Sequence, residues 1–264
     1  MDNLSAVGRK LYGIAIAGIG FLTICYADFP YMLIPPNHSW IPGLTVASYI
    51  MGALFVLAGA CIVLEKRTRV IALLLAGVFL LIFCFYFIPY QLISSPNNTQ
   101  LGDWENAEKE LALSAGALVV ASCFPAKNEN VLIKLLAMLI PFGAIIFGLI
   151  ITSFGIDHFL YAKAAADYVP SWIPKHLFWI YFAGIALMGA GIAILLKVKV
   201  RLIATLLGMM IFTWFIILHI PYVIASRFAD GGGEATSALI ALAYSGISFV
   251  IAGTAKKVPT STDL

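Results

Sequence analysis

The sequence predicts an all-α membrane protein of eight transmembrane helices, arranged as two parallel-repeat four-helix bundles. Three observations carry that expectation. The chain is 62% hydrophobic and 11% charged, with a mean hydropathy of +0.99, whereas a soluble domain carries about 25% charged residues. Its apolar residues fall into runs close to the ~20 residues that cross a bilayer. The second half also repeats the first at an offset of 132. Trp40-Ile41-Pro42 returns as Trp172-Ile173-Pro174, Gly52 and Gly59 as Gly184 and Gly191, Arg69 as Arg201, and Ile88-Pro89-Tyr90 as Ile220-Pro221-Tyr222.

Each span follows from its own signals. Backbone groups inside hydrocarbon must be satisfied within the segment, so the apolar runs are helices. The first, 10–27, follows Arg9-Lys10 and taken alone resembles a cleaved signal segment. Its counterpart around Ile140–Phe154 lies deep in the chain, so it is read as a retained helix. The spans 44–64 and 176–196 each follow a Trp-Ile-Pro triplet: tryptophan settles at the headgroups, and proline is tolerated in a first helical turn. Their glycines allow backbones to approach closely. The spans 70–90 and 201–224 begin at short basic turns and close on Ile-Pro-Tyr. The span 107–124 starts beyond a polar loop, with Glu105 and Lys109 placed for an i,i+4 pair. A polar connector, Ala126-Lys127-Asn128-Glu129-Asn130, divides a first repeat (1–126) from a second (127–264). The spans 132–154 and 236–254 complete the second repeat.

The positive charge orients the chain. With the N-terminus inside, four of the sixteen Lys and Arg (Lys109, Lys163, Lys175 and Arg227) fall outside, and the rest fall on the cytoplasmic side. That asymmetry predicts a multi-pass protein with both termini cytoplasmic. Four helices per copy is an even number, so the copies enter the membrane in the same direction and are related by an axis along its normal. The expected environment is the lipid bilayer. The basic residues form short topogenic clusters, not the footprint of a nucleic-acid binder. Cys25, Cys61, Cys84 and Cys123 all lie in apolar segments without C-x-x-C or zinc spacing, so neither a disulfide framework nor a metal site is expected.

Function is sought where the copies differ. In the ungapped alignment, Cys25 and Tyr26 become Asp157 and His158, Leu44 becomes His176, and Phe87 becomes His219. Ionisable side chains at membrane depth usually face a bundle interior or a water-filled cavity. Asp157, His158, His176, His219 and Tyr222 are therefore expected to surround an outward-opening ligand pocket in the second bundle. Histidine there can carry a proton near neutral pH, ligate a metal or hydrogen-bond a carbonyl such as a quinone's. Asp157 and His158 are adjacent, so their side chains diverge by about 100° on one helix. Glu110, whose counterpart at an offset of 131 is Ala241, is read as a carboxylate favoured by the helix N-terminus.

The stretch Val169-Pro170-Ser171-Trp172-Ile173-Pro174, then Trp179-Ile180-Tyr181-Phe182-Ala183-Gly184 and Gly189-x-Gly191 before a basic turn, resembles the DoxX-like membrane proteins. Ile220-Pro221-Tyr222 falls where that family places a proline motif at the end of its third helix. The resemblance covers each half and implies a tandem duplication of a four-helix unit in a bacterial inner membrane. It further implies a membrane subunit or partner of a redox process, either quinone-linked or tied to thiol and oxidative-stress assemblies. The cofactor is left open, a quinone being one candidate, and another redox subunit is a candidate partner. The chain departs from the family where a glutamate often follows the second-helix glycine: Ala186 and Leu54 stand near those positions. No catalytic residue carries over by motif, so enzymatic status is left open. A small-molecule transporter or binder and a non-catalytic structural partner are the alternative classes.

Overall fold

The computed structural model describes residues 3–35, 43–226 and 231–255. The Trp40-Ile41-Pro42 triplet and His38 lie outside the described residues. Every regular element among those described is helical: α1 Asn3–Tyr26, α2 Leu44–Val63, α3 Thr68–Ser94, α4 Glu105–Ser122, α5 Val131–Leu160, α6 His176–Leu195, α7 Val200–Ser226 and α8 Gly233–Thr254. Seven of these are long and apolar enough to cross a membrane. The exception is α4, whose first two turns carry Glu105, Glu108, Lys109 and Glu110. Large apolar side chains such as Phe21, Leu57, Phe85, Leu149 and Ile224 stand exposed around the outside, the surface that lipid, not water, tolerates.

The helices meet through small residues. In lipid no hydrophobic force drives helices together, so close backbone approach supplies the packing energy. A Cβ on Gly20 of α1 would sit 2.5 Å from the Gly52 carbonyl oxygen of α2, and one on Gly191 of α6 would sit 2.5 Å from that of Gly148 in α5. Gly13 faces Gly59 and Gly155 faces Gly184 in the same way. These pairs put α1 against α2 as α5 stands against α6, but at two offsets: 132 for the α2/α6 glycines and 135 for those of α1 and α5. The connector before α6 is thus three residues shorter than its counterpart, which an ungapped slide does not register. Asp157 and His158 consequently answer Leu22 and Thr23, not Cys25 and Tyr26.

Further contacts recur between the halves. Ser114 of α4 donates to the Ala76 carbonyl of α3 at 2.8 Å, and Ser245 of α8 donates to the Gly208 carbonyl of α7 at 2.9 Å. Gly8 of α1 backs onto Gly246 and Val250 of α8, and Gly143 of α5 onto Ala115 and Val119 of α4. This last correspondence changes the architecture. The first helix of each half packs against the fourth helix of the other half, so the halves interlock where two bundles side by side were expected. The main buried core spans both halves, running from Tyr12 and Phe55 through Leu113 and Phe147 to Leu187 and Ile247. A smaller cluster of Ala162, Ala166, Val169, Ile173 and Ile180 lies under the connector before α6.

Two irregularities are shared as well. Residues Phe83–Phe87 and Phe215–His219, 132 apart, both form a π turn, each just before an Ile-Pro. The proline has no N–H and its ring crowds the carbonyl four residues back, so the preceding turn widens. At Pro141 the chain instead takes a tighter 3-10 turn over Ile140–Phe142, with the proline near its start, where a missing N–H costs no helical bond. At the end with short basic turns, Arg9 is buried, paired to Glu65 at 2.7 Å and set over the Phe124 ring.

The glycine contacts yield a direct comparison. Gly20→Ala is expected to destabilise the detergent-solubilised protein by about 1–3 kcal/mol through overpacking, read as a lowered Tm. Gly189→Ala, where an added Cβ meets nothing within 4 Å, leaves the Tm unchanged. Equal melting of the two variants contradicts packing by backbone approach.

Candidate functional site

At the end of the molecule carrying the long connectors, the helices α4 to α8 wall a cavity of about 760 Å3. Its position begins with the entry to α4. The Gln91 amide donates to the Asp103 carbonyl, Ser95 bonds the Asp103 carboxylate, and the Trp104 indole donates to the Asn98 carbonyl at 2.8 Å. These bonds tie the loop down and bring the first turn of α4 to the cavity wall. Glu105 and Lys109 form the expected i,i+4 ion pair at 2.6 Å, and both line the cavity.

From α5 comes Asp157, which lines the cavity, with Ser153 one turn before it on the same face but outside the lining. Ser153 donates to Glu108 Oε1 at 2.7 Å, while the other Glu108 oxygen is buried with no hydrogen-bond partner among the described residues. Asp157 is the sharper anomaly. Both of its carboxylate oxygens are buried and neither has a partner among the described residues. His158 Nδ1 lies 2.7 Å from the Phe154 carbonyl. A carbonyl only accepts, so Nδ1 carries the hydrogen and Nε2 of the neutral ring is left as an acceptor.

His219 enters from α7 as the last residue of the π turn, its Nδ1 buried and without a partner among the described residues. Tyr244 closes the inner wall from α8. Its ring stacks on Phe154 at 5.9 Å and meets Phe147 edge-on at 5.6 Å, and its hydroxyl likewise has no partner among the described residues. Below these groups Ile151, Leu187, Ile211 and Ile240 form an apolar floor.

Three of the five residues singled out in the sequence meet here: Asp157, His158 and His219 all line the cavity. The first two share it although adjacent, because it is wide enough to be walled by more than one face of α5. His176 does not join them. It is the first residue of α6, half-buried and away from the lining. Tyr222 does not join either: its hydroxyl donates to the Asp167 carbonyl at 3.3 Å and its ring packs on Tyr168, so it braces the connector. Among the described residues no group of three or more His, Cys, Asp and Glu is arranged to hold a metal ion.

The residues missed lie on α4 and α8. The expected pocket belonged to the second bundle alone, but the interlocked halves bring Glu105 and Lys109 of the first half to the same wall, with Glu108 behind them bonded to Ser153. Their signal was in the sequence: three acids and a lysine within six residues of an otherwise apolar helix. Glu110 departs from the capping reading. It is fully buried in the second turn, and both its oxygens lack partners among the described residues. No protein-family model, no curated protein and no solved structure matches this chain.

The cavity's chemistry is therefore that of an acceptor-rich recess. Asp157, His158, Glu105 and Glu234 line it with a single ammonium, Lys109, which Glu105 already pairs. Asp157 has both oxygens buried with no partner among the described residues, and a buried acceptor without a donor is costly. A ligand bearing O–H or N–H donors relieves that cost, and an anionic one aggravates it.

Glu110 gives a test of this imbalance. Replacing a partnerless buried carboxyl with an apolar group of similar size removes a desolvation penalty. Glu110→Met is thus expected to raise the Tm of the purified protein by several degrees. A fall of similar size means that Glu110 is held by a compensating partner.

Proposed function

We propose that this chain is a DoxX-like membrane protein, a tandem duplication of a four-helix unit with eight spans, residing in a bacterial inner membrane with both termini cytoplasmic. The duplication is supported by the recurring glycine contacts, serine hydrogen bonds and π turns of the two halves. As the eighth span, α4 is sheltered by α3, α5 and α8, and it is buried at every position from Ala112 to Ala121. Its charges gather at one end, Glu105 and Lys109 in the cavity wall and Glu110 buried among the helices, where no lipid need solvate them. The basic residues of the short turns give the orientation, which turns the cavity outward.

In this reading the outward cavity binds a small, donor-bearing molecule of the quinol class, and the protein serves as a membrane subunit or partner in a quinone-linked redox process. The single observation that carries it is that one 760 Å3 cavity holds both Asp157, whose two carboxylate oxygens are buried without a partner among the described residues, and His219, whose buried Nδ1 likewise has none. A hydroquinone presents two hydroxyl donors to such acceptors. A transport reading is less well supported, because the cavity ends on an apolar floor and not in a polar path to the other face.

The test is equilibrium binding of a hydroquinone bearing one isoprene unit to the detergent-solubilised protein. Binding is expected to weaken at least about tenfold in Asp157→Asn and in His219→Phe, the latter installing the residue of the first copy; each lost hydrogen bond to a charged or buried partner is worth about 1.5–3 kcal/mol. Tyr222→Phe, outside the lining, is expected to bind as the unaltered protein does. Equal affinity in all three variants rejects the assignment.

A further inference from the structure

A second cavity adjoins the first and says what kind of molecule carries the donor-bearing head. Between α6 and α7 runs a groove of about 890 Å3, walled almost wholly by carbon. These two helices pack far less closely than α5 and α6 do. The equivalent helices α2 and α3 of the first half meet as loosely. What sets this groove apart is its small lining residues, Ala186 and Gly189, which stand at an offset of 132 from Leu54 and Leu57. At Gly189 an added Cβ would meet nothing within 4 Å. The rim is open to the bilayer, since Phe182, Ile185 and Leu206 are 48%, 64% and 53% exposed. Thr213 adds no free donor, because its hydroxyl is bonded to the Met209 carbonyl at 2.9 Å.

The groove and the acceptor-rich cavity are not separate places. Trp179, Met210 and Trp214 line both. The two indoles stand edge to face at 6.2 Å, one from each helix, and form the partition. From Trp179 to Gly189 the groove descends about 15 Å along α6, roughly half the ~30 Å hydrocarbon core. A polar recess thus continues, past two tryptophans, into an apolar channel that opens sideways into lipid.

We infer that the cavity and groove together form one binding site for a prenylated hydroquinone, its head among Asp157, His158 and His219 and its isoprenoid tail between α6 and α7. This rests on the cavity reading above and deepens it. Charge complementarity selects the occupant. A phospholipid shares the apolar chain, but its phosphate would enter a recess where Asp157, Glu105 and Glu234 outnumber Lys109. A neutral head with two hydroxyl donors meets acceptors that otherwise lack them. Entry is lateral, from the bilayer, and the Trp179–Trp214 pair is the point at which head and tail divide.

The experiment compares two probes, a hydroquinone with one isoprene unit and the same head with eight. Binding is measured to the unaltered protein, to Gly189→Phe, and to Gly189→Leu, which restores the first copy's Leu57. Thermal melts establish that both variants fold. The long-tailed probe is expected to bind the unaltered protein at least about tenfold more tightly than the short one. Gly189→Phe is expected to remove that advantage, Gly189→Leu to reduce it, and neither to change short-probe binding by more than about twofold. Equal affinity for the two tail lengths, or an advantage that survives Gly189→Phe, overturns the tail site. Displacement of the long probe by an equal mole fraction of dioleoyl phosphatidylglycerol also overturns it, since the groove would then hold bilayer lipid. Failure of the head reading looks different: the short probe does not bind, while Gly189→Phe still weakens the long one.

Discussion

The structure depends on backbone-to-backbone approach between helices that lipid cannot push together. Where Gly20 meets Gly52, and Gly148 meets Gly191, a single Cβ would stand 2.5 Å from a carbonyl oxygen on one side of each contact. Such contacts bring many weak dispersion interactions to short range. They also set how far each helix slides along its neighbour. The serine hydrogen bonds from Ser114 and Ser245 to carbonyls of adjacent helices then add direction. Every other feature of the molecule is hung on this arrangement of close pairs.

The same contacts interlock the two halves. Gly8 on α8 and Gly143 on α4 place the first helix of each half against the last helix of the other. The result brings α4 and α8 inside, where α8 is the most enclosed of the candidate spans. Burial has a chemical consequence. Charges on α4 that would be costly in contact with lipid instead wall a cavity, facing Asp157 and His158 from α5. The site belongs to the seam between the halves, so neither half alone would assemble it. The widened turn before Pro221 supplies the remaining wall residue, His219, at the end of α7.

Much of this was legible beforehand. Composition and run length marked the apolar helices, and the Glu105–Lys109 pair followed from spacing. The comparison of copies led to His219, opposite Phe87, and to Asp157, opposite an apolar residue in either register, because such a difference shows where burial of a costly group is tolerated. His158, which answers the polar Thr23, was reached through the slipped register. His176 and Tyr222 were included on the same logic and lie elsewhere. A helix-end histidine is solvated without any pocket, and a tyrosine one turn beyond His219 finds a connector to brace. The alignment of α1 with α5 slipped by three residues because the loop before α6 is shorter, and periodic apolar sequence carries no mark of such a deletion. Glu108 and Tyr244 were overlooked since each lies far in sequence from the residues it joins.

By itself the sequence determined the helices, their order, the twofold recurrence and the residues at which the copies part. These are local or pairwise properties, written in hydropathy, proline and glycine placement, and identity at a fixed offset. Only the tertiary structure decided which helix lies against which: that α1 crosses to α8, that α4 shares a wall with α5 and α7, and that Ala186 and Gly189 leave a groove meeting the polar cavity at Trp179 and Trp214. Helix partners in a membrane are chosen by the fit of small-residue faces in three dimensions. That fit depends on the summed geometry of every neighbour, and no single segment carries it.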